Sequence, residues 1–197
     1  MGSSESLVTE SFQLERSLDR ELWVVTAADG AKRGGLIATF VSPASIVPGM
    51  PRMLVGIGRR HRTWELIEAS GAFALHLLGE EHLDWVARFG LQSGRTADKF
   101  AGLEHRPGRS GSPVLTGAAG SLDCRVEARM GTGDRTVYLA EVLDAVAPGS
   151  TTPVLTIQRM LRLAPDPIRD RLAASRARDS ELDAEMIRAW RQAGPHA

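Results

Sequence analysis

The chain has 197 residues, 43 % of them hydrophobic and 24 % charged, and its 24 basic and 24 acidic side chains cancel to a formal net charge of zero. That length fits one large domain, or one domain with a tail, and it is enough to bury a core without staples. The neutral balance excludes the broad field of a nucleic-acid or anionic-membrane binder, the single cysteine excludes an internal disulfide, and no apolar run is long enough for a membrane span.

No basic-then-apolar leader opens the sequence, so a cytoplasmic location is the expectation. Residues 1–10 are rich in Ser and Glu and read as a disordered terminus. Ser11–Asp19 reads as a short helix with Phe12, Leu14 and Leu18 facing inward. Glu21–Asp29, "ELWVVTAAD", is apolar and β-branched and predicts a strand. Asp29-Gly30 turns the chain, and "GLIATFVSPASI" predicts the second strand of a hairpin, ending near Ser42-Pro43. Arg52–Gly58 predicts a third strand. The period then changes: His61–Gly71 carries Thr63 as a cap with Leu66, Ile67 and Ser70 at helical spacing.

Ala72–Gly79 returns to strand, and Glu80–Leu91 predicts a helix with Leu83, Val86, Ala87 and Phe89 near one side. Residues 92–120 are rich in Gly and Pro and read as loop. Gly120–Met130 alternates, placing Leu122, Cys124, Val126 and Ala128 on one face. "GTGD" turns the chain into Arg135–Ala147, a long hairpin partner, and Thr152–Ala164 is a further strand candidate. Asp179–Gly194 sets Leu182, Met186, Ile187 and Trp190 at helical spacing, with Ser180 and Asp183 resembling a capping box. Six or more strands joined mostly by hairpins predict a mainly β fold, an antiparallel barrel over residues 11–165, with a helical extension over 166–197.

The residue chemistry narrows the function. His61, His76, His82, His105 and His196 form no metal-ligand spacing, and no second cysteine joins Cys124, so no metal site is expected. Cys124, among apolar neighbours on a strand, reads as a small buried hydrophobe. There is no GxSxG elbow, no GxxxxGK[ST] loop, and "GIGRRH" lacks the third glycine of a dinucleotide fingerprint. Two stretches remain. In Gly58–Thr63, three arginines and a histidine precede a helix start, which reads either as a phosphate clamp or as a solvated basic turn. In Arg33–Pro51, small Ala38 and hydroxyl-bearing Thr39 interrupt an apolar run. That reads either as a wall for a flat heterocycle with polar edges or as a bent barrel strand ending at a proline.

The ordered set "LWVVTAADGAKRGGLIATFVSPASIVPGMPRMLVGIGRRHRTWELIEASGAFALHLL", "RFG", "DKF", "GSPVLTGAAGSLDCRVE" and "GDRTVYLAEV", spanning about residues 20–147, resembles the flavin reductase-like family. The resemblance implies an FMN-binding split barrel and a homodimer with flavin near the subunit interface. It places Gly35, Leu36, Ile37, Ala38 and Thr39 along the flavin ring, with Ser45 and Pro48 following in the same motif. It assigns Gly58, Arg59, Arg60, His61 and Thr63 to the phosphate side, and Phe89 and Lys99 to two short motifs that approach the cofactor. Asp134 and Arg135 fall on the nicotinamide side. The chain departs from the family pattern at Phe40 and Pro43, at Gly58 in place of Asn, and at Arg135 in place of a His near the nicotinamide. Thr152–Ala164 also lacks aromatic residues that often close the pattern. The implied activity is reduction of noncovalent FMN, or FAD, by NAD(P)H, with electrons passed to free flavin, a monooxygenase or another acceptor. No catalytic protein side chain is required, because flavin N5 accepts the hydride. A flavin carrier or store without NAD(P)H activity is the alternative, motivated by Arg135, and a nonflavin binding module on the same barrel is a third reading. Neither a nucleic-acid nor a membrane partner is expected.

Overall fold

The computed structural model describes residues 4–147 and 153–194. In chain order the elements are α1 (Ser4–Ser17), β1 (Trp23–Asp29), β2 (Lys32–Ala38), β3 (Val41–Pro43), β4 (Arg52–Gly58), α2 (Arg62–Ser70), β5 (Ala72–Leu77), a 3-10 turn (Glu80–His82), α3 (Leu83–Leu91), β6 (His105–Pro107), β7 (Pro113–Leu115), β8 (Gly120–Gly131), β9 (Arg135–Val146), α4 (Ile157–Leu163) and α5 (Asp166–Ala193).

Seven strands form one antiparallel sheet in the order β2-β1-β5-β8-β9-β4-β3, and β6 pairs with β7 apart from it. Laid flat, six strand spacings would separate the two edges by about 29 Å. Yet β2 and β3 are those edges, and only Thr39 and Phe40 lie between Ala38 and Val41. Three Cα steps reach at most about 11 Å. The sheet therefore curls until its edges meet at this corner, while β2 and β3 share no ladder: a split barrel.

The long apolar run of β1 follows from where it sits. Val25 and Ala27 face the interior cluster with Val55, Ile57, Phe73, Leu75, Tyr138 and the α2 residues Leu66 and Ile67. Leu22 and Val24 face an outer cluster with Trp85, Val86 and Phe89 of α3 and Met160 of α4. A strand covered on both faces has no polar alternation to show. Close packing also explains Gly35: a Cβ there would stand 2.8 Å from the Phe89 ring.

Four expectations are corrected. Residues 4–10 belong to helix α1 rather than to a disordered terminus; residues 1–3 lie outside the described residues. The strand expected over Thr152–Ala164 is two isolated bridges, Gly79 with Val154 and Glu21 with Thr156, followed by helix α4. Thr156 caps that helix by accepting a hydrogen bond from Arg159 N; Thr152 lies outside the described residues. The even alternation expected in β8 is broken by irregularities at Asp123/Cys124 and Val126/Ala128, so that Asp123 and Cys124 are both buried. Ser180 and Asp183 do not cap a helix start, because α5 runs for 28 residues from Asp166. Residues 195–197, His196 among them, lie outside the described residues.

Candidate functional site

The corner that joins the sheet edges also bounds a groove of about 420 Å³. Its wall is mostly apolar: Phe40, Val41, Leu54, Val55 and Val137, with Thr39 and Ser42 supplying hydroxyls and Arg20 and Arg135 supplying charge. Phe40 is half exposed and lies close to two guanidiniums, 4.5 Å from that of Arg135 and 5.4 Å from that of Arg20. Gly56 lies on the floor and lets Phe40 pack close over its main chain, since a Cβ there would come within 3.1 Å of Phe40 Cβ.

Of the segment predicted along the ring, only Thr39 lines this groove. Leu36 and Ala38 turn into the barrel interior, and Ile37 packs on the outer cluster. The strand alternation that carries Ala38 inward is the physical reason. Ser45 is occupied in its own turn, where its hydroxyl accepts from Val47 N at 3.1 Å.

Gly58 pairs with Arg135 across β4 and β9, which brings the arginine turn beside the β8–β9 hairpin. The three arginines of the turn then diverge. Arg59 lies 5.4 Å from the Trp64 ring and has no ion pair among the described residues. Arg60 pairs with Asp179 and Asp183 of α5, and Arg62 with Glu65 at 2.6 Å. His61 precedes α2 without capping it through its side chain, and burial, helped by Arg60, pushes its pKa down to about 4. Thr63 is buried in the first turn of α2.

Asp134 is buried and grips Arg135 through both Nε and Nη2 at 2.6 Å. Gly133, at φ 94°, lets α5 approach: a Cβ there would sit 2.9 Å from Trp190 Cβ and 3.2 Å from Ile187 Cα.

Phe89 and Lys99 are brought together, away from the groove. Phe89 is in the outer cluster, and the Lys99 ammonium donates to Gly35 O and Phe89 O, both at 2.9 Å. Burial lowers the Lys99 pKa to about 8. This lysine, Arg33, Arg95 and Asp98 line a second, polar cavity of about 460 Å³. Sequence reasoning missed Arg20, Gly56 and the aspartates of α5. The last carried a readable signal, since Asp179 and Asp183 are spaced to share one helix face.

Residues 16–163 match the model of the flavin reductase like domain. The chain belongs to that family. It is 32 % identical over 164 residues to the reductase subunit HsaB of a flavin-dependent monooxygenase from Rhodococcus jostii, covering 80 % of this chain and 81 % of that protein. It is 34 % identical to actinorhodin polyketide dimerase of Streptomyces coelicolor, over 69 % of this chain and 75 % of that one. The crystal structure of nitrilotriacetate monooxygenase component B from Mycobacterium thermoresistibile superposes with a TM-score of 0.65 at 27 % identity, over 76 % of this chain and 82 % of that one.

Membership in the flavin reductase like family implies a flavin, and the groove fits one. A flat tricyclic ring needs an apolar wall, close main chain and a few polar groups at its edge. Val41, Leu54 and Val137 supply the first, Gly56 the second, and Thr39, Ser42 and Arg135 the third.

Proposed function

We propose that the chain is an NAD(P)H:flavin oxidoreductase that holds FMN, or FAD, noncovalently in the groove beside Thr39. One observation carries the reading: an apolar groove, floored by Gly56, with the Arg135 guanidinium at its edge, in a chain of this family. When bound, the flavin supplies the hydride-accepting ring nitrogen. The protein contributes orientation and exclusion of water. Val41, Leu54 and Val137 keep the groove dry, Thr39 and Ser42 offer hydroxyls to a polar ring edge, and Arg135 offers guanidinium N–H donors there. With α5 docked, Arg60 and Arg62 are held by carboxylates, and Arg59, without one among the described residues, is the arginine of the basic turn open to a phosphate.

The likeness to a protein named as a monooxygenase reductase subunit supports a monooxygenase as the acceptor, with free flavin as the other outlet. A homodimer is supported by the run of exposed apolar side chains from Phe40 to Leu54, where Ile46 is 100 % exposed. No described helix is long and apolar enough to cross a membrane, and a cytoplasmic site of action accords with that.

The test is direct. Purified protein is expected to be yellow or to quench FMN fluorescence, and to oxidise NADH or NADPH in air. Colourless protein that leaves FMN fluorescence unchanged sinks the reading. A flavin carrier without NAD(P)H activity is the second reading, favoured by the tight Asp134–Arg135 pair at the nicotinamide side. Bound flavin that stays oxidised on rapid mixing with both nicotinamides would select it.

A further inference from the structure

Helix α5 begins beyond the stretch matched by the family model, yet it reaches back onto two arginines within that stretch. Arg60 Nη2 lies 3.2 Å from Asp179 Oδ1, Arg60 Nη1 3.2 Å from Asp183 Oδ1, and Arg135 Nη2 3.4 Å from Asp183 Oδ2. Arg60 Nη1 also donates to the Asp179 carbonyl at 3.3 Å. The two aspartates are one helical turn apart, so a single face presents both carboxylates at once.

Two features make this closure reversible. No residue of α5 is fully buried: Ile168 and Leu172 pack on the outer cluster near its start, and beside the arginines its apolar contact is the approach of Ile187 and Trp190 to Gly133, which leaves that end the easier to release. The charges are also imperfectly matched: Asp134, Asp179 and Asp183 crowd two guanidiniums, and His61 beside them is neutral at pH 7. Asp183 Oδ1 is buried, and although Arg60 Nη1 lies 3.2 Å away, it makes no well-aligned hydrogen bond among the described residues. Burial and the neighbouring aspartates accordingly raise the Asp183 pKa against the pull of both arginines. A phosphate group presents more acceptor oxygens to two guanidinium forks than one carboxylate does.

We infer that α5 is a latch: Asp179 and Asp183 act as an internal anion in a phosphate site built by Arg60 and Arg135, and a phosphate-bearing ligand opens the latch by taking their place. The identity of the ligand, a flavin phosphate or the phosphate of a nicotinamide dinucleotide, rests on the proposed oxidoreductase function; the existence of the site does not. Linkage makes the effect reciprocal, so removing the carboxylates must tighten phosphate binding, and phosphate binding must loosen α5.

The experiment uses the full chain and its D179N/D183N variant, titrated calorimetrically at low salt with FMN, riboflavin and 2′,5′-ADP. Hydrogen exchange across α5 is followed in the unmodified protein. The variant is expected to bind FMN or 2′,5′-ADP about five- to a hundredfold tighter, with riboflavin unchanged. In the unmodified protein, saturation with the favoured ligand is expected to speed exchange of the amides around Asp179–Trp190. A gain for FMN alone assigns the flavin phosphate, and a gain for 2′,5′-ADP alone assigns the dinucleotide. Equal affinities in the two proteins, or no binding of either phosphate ligand, overturn the latch. Riboflavin quenching separates this from the flavin reading: if riboflavin binds neither protein, that reading falls, and 2′,5′-ADP still decides the latch.

Discussion

His76 shows how a single side chain is committed by its surroundings. It is fully buried, its Nδ1–H donates to Val24 O at 3.1 Å, and its Nε2 accepts Leu115 N–H at 2.9 Å. Protonating Nε2 would cost that acceptor, and burial pushes the pKa from the ordinary 6.5 down to about 4. The folded pKa lies below the unfolded one, so the unfolded chain binds more protons between them. The stability that His76 contributes is full above about pH 6.5 and falls as pH drops through 4, by on the order of 3 kcal/mol. Urea unfolding at pH 7 and pH 4.5 checks this. His76→Leu is expected to cost about 1–3 kcal/mol at pH 7, by stranding Leu115 N–H, and to flatten the pH slope. An unchanged slope would assign the acid sensitivity elsewhere. Legibility at this scale is uneven. Cys124 was readable as buried, and burial raises its thiol pKa to about 12. Lys99 was not, because its two acceptors come from β2 and α3, distant in sequence.

The elements best read from the sequence are those whose pattern is local. The β1–β2 hairpin and the α2 periodicity are of this kind. α4 was misread because Val154, Leu155, Thr156 and Ile157 look like a strand, and for the length of two bridges they behave as one. The helical spacing of Ile157, Met160 and Ala164 was present, but the second cap, Asp19 Oδ1 accepting from Gln158 N–H, comes from the other end of the chain. α5 poses the converse problem: its period is plain and its docking surface is not. Gly133→Ala tests that docking. A side chain there meets Trp190, and φ 94° strains any L residue. The substitution is expected to cost about 1–3 kcal/mol and to expose Trp190. Its fluorescence should shift to the red and exchange around Met186–Trp190 should quicken. Unchanged emission and exchange would mean that α5 does not depend on this approach.

Across the whole molecule, the barrel class was legible because hairpin-linked strands leave few other architectures. The closing geometry was not, because β1–β5 and β4–β9 join segments whose adjacency no local pattern encodes. The same scale holds the test of self-association. Ile46, Val47 and Met50 project from the loop between β3 and β4. Charging this patch with an Ile46→Asp, Met50→Asp pair should weaken a dimer more than about tenfold, read by sedimentation, while leaving the monomer folded. A dimer that survives intact would move the interface elsewhere.

The corner at Thr39 and Phe40 has an evolutionary consequence. The 44–51 segment can gain or lose residues while the ladders stay in place, as surface connections generally do. The corner has no such slack. One residue inserted between Ala38 and Val41 would slip β3 against β4 and turn Val41 from the inside of the cylinder to the outside. Length variation among descendants of this chain should therefore collect in the loop and spare the hinge-like pair, and a library of random single-codon insertions would map that asymmetry directly.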